Sequence, residues 1–271
     1  MRISLKNFKW VVAGCFLTAI FGQSVLGQDW QDIKGKHFVV YFQDGRSAYA
    51  QRVLRLAETY YRNIGDQIGY SRYSDFWTWN ERVEIFIFPD QEKFVQKTGQ
   101  PAWSLAYVDR EKRLSDSRTI AFYAQGGAHP EGLLAHEISH LVLRDFLGDQ
   151  TPIPSWFDEG VAQLQETDKP AVADRVMRSL VRKGSYIPLR VFINWDIRRE
   201  EDAAKVQVFY AQSVSLVDFL IKNYGSEAFG RLCRSLREGK NFEEALRSVY
   251  SRSIETLDDL ERKWVSYLKD K

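Results

Sequence analysis

The chain has 271 residues, of which 44% are hydrophobic and 27% are charged, and this composition excludes an intrinsically disordered protein. Lys and Arg together number 38 and Asp and Glu together number 36, for a formal net charge of +2. A balanced charge creates no overall field that would gather a polyanion, so we expect no nucleic acid partner.

The first 27 residues have the three-part pattern of a secretory signal peptide. Three basic residues precede an apolar run at residues 10–21, and the residues at positions 25 and 27 suit cleavage before Gln28. The apolar run is too short to cross a bilayer comfortably. We therefore expect export to the periplasm or the extracellular space, with no membrane attachment after the leader is removed.

A second interpretation of the leader is a lipoprotein signal. Residues 12–15 spell a lipoprotein-type cleavage box that ends in Cys15, but the box follows Lys9 almost directly, so the required apolar stretch lies on its wrong side. The sequence therefore favours a cleaved leader over a lipoprotein or an uncleaved N-terminal anchor. Removal of the leader leaves Cys233 as the remaining cysteine, and no internal disulfide is expected.

The front half of the exported chain has the pattern of a small sheet with covering helices. Residues 47–68 have apolar side chains at helical spacing. Dense apolar or β-branched runs predict strands at residues 37–42, 83–88, 106–108 and 119–124. We assign residues 28–128 to a sheet-containing lobe.

The back half has the pattern of a helical lobe, which we place at residues 129–271. Apolar residues at helical spacing predict helices at residues 207–224, 226–237, 242–250 and 254–268. No internal repeat or long linker separates the two halves, so residues 28–271 form one predicted domain of the α+β class.

Residues 136–140 match the H-E-x-x-H pattern of zinc enzymes. Residues four apart lie on one face of an α-helix, so the imidazoles of His136 and His140 can reach one Zn²⁺ while Glu137 stands beside the water bound to the metal. Pro130 suits the first turn of such a helix, and Gly148 suits its end. The apolar residues of this segment form a stripe on the opposite side, at Leu134, Ile138, Leu141, Val142 and Phe146.

A third ligand is predicted at Glu159, which lies 19 positions beyond His140. A catalytic zinc needs three protein ligands and one open position, and two His with one Glu complete such a set. Glu166 lies seven positions further, on the same helical face as Glu159, and could accept the spare N–H of a ligand histidine. A solvated surface charge is the alternative interpretation of Glu166.

At these residues the chain resembles the gluzincin metallopeptidases, whose H-E-x-x-H pattern is followed by a ligand Glu. Residues 156–162, W-F-D-E-G-V-A, are similar to the W-L-x-E-G-F-A element of zinc aminopeptidases. Residues 209–213 and 219–225 are similar to a helix of the small bacterial peptidase-MA-like proteins. The resemblance implies a zincin-like fold, with a small mixed sheet followed by a zinc-binding helix and a helical lobe, and one zinc ion per chain.

The resemblance also implies that Tyr210 donates a hydrogen bond to the oxyanion, although packing is a competing explanation. Tyr186 and Tyr224 are the alternative candidates. One departure concerns the G-x-M-E-N strand by which aminopeptidases bind a free amino group. After the leader is removed the chain has Met177 as its one methionine, in no such context, so we expect an endopeptidase.

The resulting hypothesis is hydrolysis of a peptide or protein substrate by metal-activated water, with Glu137 as general base. The alternative is a zincin-fold binding or scaffold protein with weak or no activity. The intact Glu137 argues against the alternative, since a structural zinc site needs no base. The missing substrate anchors argue for it.

Overall fold

The computed structural model describes residues 30–43, 45–70, 81–102, 104–109, 118–124, 131–148 and 150–270. The predicted signal peptide lies outside these residues, and so its cleavage and the domain limits at 28, 128 and 129 stay predictions. Within the described part of the chain, no helix combines the length and the apolar character that a bilayer crossing requires.

A mixed sheet occupies the front half of the chain. Its described strands are β1 (Gln31–Lys34), β2 (Phe38–Phe42), β3 (Val83–Phe88), β4 (Ala106–Asp109) and β5 (Thr119–Tyr123), in the order β1-β2-β3-β5-β4. The three central strands are parallel, and β1 and β4 run antiparallel at the edges. The central strands are apolar on both faces because helices cover both sides of the sheet.

Alternate residues of β3 enter two different cores. Val83, Ile85 and Ile87 pack into the large core, which includes residues of α1 (Ser47–Gln67) and α3 (Glu131–Leu147). Phe86 and Phe88 belong to a smaller cluster on the other side, which α2 (Gln91–Thr98) completes with Phe94. The sheet is therefore a middle layer, with α3 on one of its faces.

The remaining described elements are helical. They are α4 (Ser155–Leu164), α5 (Lys169–Lys183), α6 (Leu189–Phe192), a 3-10 turn (Ile197–Arg199), α7 (Ala203–Arg237), α8 (Phe242–Tyr250) and α9 (Leu257–Lys269). The long α7 is interrupted at Gly225, whose φ of 83° lies outside the helical region, which agrees with the two predicted helices that end at 224 and begin at 226. The predicted α+β class is confirmed, and the arrangement is compatible with a zincin-like fold.

Helix α4 is enclosed by the rest of the helical half. Its side chains from Trp156 to Leu164 are buried, with Glu159 as the partly exposed exception. Trp156 contacts the ring of Phe242 edge-on at 5.0 Å, and Phe157 stacks on Phe229 at 5.3 Å. Helix α4 therefore lies inside the protein, although it carries the polar residues Asp158, Glu159 and Gln163.

Candidate metal centre

Helix α3 presents its two histidines from successive turns of one face. The Nε2 atoms of His136 and His140 lie 3.1 Å apart, and the two rings meet edge-on with centroids 4.8 Å apart. On the opposite side, Leu134, Ile138 and Val142 are buried in the large core, as the apolar stripe predicts. The packing of that stripe therefore directs the two imidazoles away from the sheet and toward α4.

Helix α4 brings the carboxylate of Glu159 to the same point. Its Oε2 lies 3.9 Å from Nε2 of His136, and its Oε1 lies 4.0 Å from Nε2 of His140. The three candidate ligand atoms all lie within 4.8 Å of one another. Two ligands that each bind a tetrahedral zinc at about 2.1 Å are roughly 3.4 Å apart, so this group could hold a metal ion with small adjustments.

The position of α4 depends on a close approach to α7 at Gly160. A Cβ atom at this residue would lie 2.6 Å from the carbonyl oxygen of Ser213 and 2.8 Å from Cγ2 of Val217. The absence of a side chain therefore lets the two helices pack closely, directly beside Glu159.

The outer nitrogen of His136 is held by a second carboxylate. Its Nδ1 lies 3.0 Å from Oε1 of Glu166, and a carboxylate can only accept, so Nδ1 donates and Nε2 keeps its lone pair for a metal. The expected contact of Glu166 with one of the two histidines is thus present in the structure. Its expected place on the helical face of Glu159 is wrong, because α4 ends at Leu164 and Glu166 approaches from the turn beyond it.

The outer nitrogen of His140 is held by Asp158, a residue to which sequence reasoning gave no role. The Nδ1 atom of His140 lies 2.7 Å from Oδ1 of this buried carboxylate. Asp158 precedes Glu159 by one position, which is 100° of rotation on a helix, so the two side chains reach different sides of the same imidazole. The available signal was two consecutive acidic residues that follow the apolar pair Trp156 and Phe157.

Negative charge accumulates around the two histidines. Burial lowers the pKa of His140, but the hydrogen bond to Asp158 and the charges of Asp158, Glu159 and Glu137 raise it to about 9 overall. Burial raises the pKa of Glu159, against the opposing effect of His140 and His136. Such a cluster favours a cation at its centre.

Glu137 and Tyr210 both lie within electrostatic range of this cluster. The charge of Glu137, half-buried on α3, acts on His140 and on Glu159. Burial raises the pKa of Tyr210, and the charge of Glu159 raises it further.

The two alternative tyrosines have other partners. The hydroxyl of Tyr186 donates to Oε1 of Glu261 at 2.8 Å, and the ring of Tyr224 contacts that of Tyr250 at 5.0 Å. Burial raises the pKa of both Tyr186 and Tyr224, without a contribution from Glu159. Of the three tyrosines, Tyr210 is therefore the one whose pKa the charge of Glu159 affects.

Comparison with known proteins agrees with this geometry. The family model described as Peptidase MA superfamily matches residues 118–269, which is more than half of the chain and includes α3, α4 and every candidate ligand. The chain belongs to the Peptidase MA superfamily. This Peptidase MA member is 23% identical over 212 residues to a Bacillus subtilis (strain 168) protein named "Uncharacterized protein YhcO". The match covers 73% of this chain and 60% of that relative, so the chain spans less than two thirds of the relative's length.

Proposed function

We propose that this protein is an exported zinc-dependent peptidase of the gluzincin type. The observation that carries the proposal is the convergence of His136, His140 and Glu159 on one point, within a chain of the Peptidase MA superfamily. A predicted secretory leader supports export.

Zinc is the metal that these donors suit. Two imidazole nitrogens and one carboxylate are a common catalytic zinc set, and three protein ligands leave one position open. Calcium and magnesium prefer sites made of oxygen atoms alone, which the two histidines do not provide. One ion per chain follows from one such group among the described residues.

The surrounding side chains have separable roles in peptide hydrolysis. A bound zinc supplies Lewis-acid chemistry, because it polarises a carbonyl oxygen and lowers the pKa of a coordinated water toward neutrality. Glu137 accepts the proton of the attacking water and passes it to the leaving amine. Tyr210 donates a hydrogen bond to the developing oxyanion, and Asp158 and Glu166 hold the imidazole rings in the required tautomer.

Metal analysis tests the site first. We expect inductively coupled plasma mass spectrometry to find about one zinc per purified chain, and almost none in His140→Ala. Glu137→Gln is expected to keep its zinc, since Glu137 is not among the grouped ligands. A wild-type chain that binds no zinc under saturating conditions contradicts the proposal.

Cleavage assays test the chemistry. We expect chelator-sensitive cleavage of casein or of a peptide library, and its loss in Glu137→Gln. The matched control is Glu227→Gln, because Glu227 is exposed on α7. Zinc binding without any cleavage favours the alternative, a scaffold or binding protein.

Blocked peptides test the predicted endopeptidase action. A peptide with an acetylated N-terminus and an amidated C-terminus offers no free terminus to an exopeptidase. Internal cuts in such a peptide support an endopeptidase, and cleavage restricted to peptides with a free amino group contradicts it.

A further inference from the structure

Arg144 extends the histidine face of α3 by one more turn. It lies four residues beyond His140, and its guanidinium makes two contacts outside its own helix. Its Nη2 lies 3.4 Å from Oδ2 of Asp158, and its Nη1 donates to the carbonyl oxygen of Thr151 at 3.1 Å. One side chain thus joins the end of α3, the connection to α4 and the first turn of α4.

The two oxygens of Asp158 are divided between Arg144 and His140. Oδ2 contacts the guanidinium, while Oδ1 lies 2.7 Å from Nδ1 of His140. A carboxylate held at one oxygen alone can rotate about its last torsion, which is broad in the absence of a second contact. The guanidinium therefore fixes the direction in which Oδ1 accepts, and with it the orientation of the imidazole.

The contact between Arg144 and Asp158 matters because Asp158 is buried. Its side chain is 12% exposed, and a buried carboxylate is costly unless charged or hydrogen-bonding partners surround it. Asp158 also adjoins Glu159, and the charge of each carboxylate opposes the ionisation of the other. The positive charge of Arg144, on the side away from the candidate ligands, offsets this repulsion.

We propose that Arg144 is a positioning residue for the metal centre, which acts on His140 through Asp158 by bridging that carboxylate and the Thr151 carbonyl. The inference rests on the proposed function, because it requires that His140 binds zinc. A purely structural role is the competing explanation, since a cation in the last turn of α3 also stabilises the end of that helix.

A matched ion pair that also involves α3 separates these roles. Arg118, just before β5, contacts Oδ1 of Asp145, one residue beyond Arg144 on α3, at 3.2 Å, and its side-chain contacts with the described residues do not reach the candidate ligands. We expect Arg144→Gln to weaken zinc binding about tenfold or more in competition with a chromogenic chelator. Arg118→Gln is expected to keep the wild-type affinity, whatever its effect on the melting temperature. Equal affinity in both variants and the wild type overturns the inference.

A double-mutant cycle tests the route through Asp158. We expect Arg144→Gln to weaken zinc binding in the wild-type background and to have no further effect in Asp158→Ala. Additive losses in the double variant overturn the route. The visible absorption of the cobalt-substituted protein is a second readout, expected to change in Arg144→Gln and to stay as in the wild type in Arg118→Gln.

Arg144→Lys keeps the inference testable if Arg144→Gln does not fold. Lysine retains the charge at the helix end, but its single ammonium group cannot reproduce the planar two-point contact. A reduced zinc affinity in a stable Arg144→Lys variant supports the inference, and a wild-type affinity overturns it. A wild-type protein that binds no zinc contradicts the proposed function itself, a result distinct from a zinc-binding protein that is insensitive to Arg144.

Discussion

Nδ1 of His136 lies 3.0 Å from Oε1 of Glu166, although Glu166 follows the end of α4 and belongs to the turn before α5. The candidate ligand Glu159 and this hydrogen-bond partner therefore approach His136 from two different backbone segments. The turn after α4 contributes to the site as directly as the helix does.

Loss of the Glu166 carboxylate is expected to weaken zinc binding. Glu166→Gln can still accept a hydrogen bond but loses the negative charge that makes the imidazole a better ligand, so we expect roughly a tenfold loss of zinc affinity. Competition with a chelator of known affinity measures the change. Lys169→Gln is a suitable control, because Lys169 is exposed and lies just beyond the same turn. An unchanged affinity in Glu166→Gln contradicts the role, and leaves Glu166 as a surface charge.

A methyl group at Gly160 is expected to separate α4 from α7. Its Cβ would meet the Ser213 carbonyl oxygen at 2.6 Å, and backbone cannot give way cheaply. We expect Gly160→Ala to lower the free energy of unfolding by about 1–3 kcal/mol and to weaken zinc binding as Glu159 shifts. Urea unfolding of the metal-free protein measures the first effect.

The control for Gly160 is a second helical glycine with free space around it. A Cβ atom at Gly132 on α3 would meet Cγ of Glu166 at 3.9 Å, an ordinary contact. Gly132→Ala is expected to be neutral or stabilising by up to about 1 kcal/mol. If Gly160→Ala is also neutral or stabilising, the close approach of α4 and α7 does not require a glycine at position 160.

Removal of the Tyr210 hydroxyl is expected to lower kcat and to leave zinc content unchanged. Tyr210→Phe keeps the ring but loses the donor, and the loss of one oxyanion donor reduces kcat by about a hundredfold or more. Steady-state kinetics on a fluorogenic peptide measure this. Tyr224→Phe on the same helix serves as the control. Equal kcat values in the two variants would assign Tyr210 to packing.

The thiol of Cys233 is expected to be inert in the folded protein. Cys233 is fully buried, and burial raises the pKa of its thiol. The protonated thiol therefore contributes stability that is complete below the unfolded thiol pKa of about 8.5 and declines as the pH rises above it. We expect negligible alkylation of Cys233 by iodoacetamide at pH 9 without denaturant, and rapid alkylation in urea, measured on the peptide that contains it. Rapid alkylation of the folded protein would contradict the buried state.

Features with a local signal could be predicted from the sequence. The predicted strand at 83–88 coincides with β3 because it is a dense apolar run, and the predicted helix at 242–250 coincides with α8 because its apolar residues recur at helical spacing. The geometry of the two histidines follows from the helical repeat alone. Strand β1 was missed, because it is a mostly exposed edge strand of polar composition.

Two features that depend on packing between distant segments could not be predicted. The role of Asp158 requires the rotation of α4 about its own axis, which its packing against α7 determines. The contact of Glu166 with a histidine was predicted, but its position beyond the end of α4 was not, because helix ends are the least regular part of a helical pattern. The positions of Asp158 and Glu166 depend on long-range packing, which produces no periodic pattern in the sequence.

The enclosure of α4 has a consequence for how the metal centre can fail. A helix surrounded by the core has no independent freedom, so Glu159 cannot drift from the histidines through a local opening of its own. Substitutions in the core far from the metal centre would then reduce the number of folded molecules and leave the candidate ligands in place in those that fold. Such substitutions, unlike a change at Gly160 beside Glu159, would therefore be seen as a lower abundance of the protein.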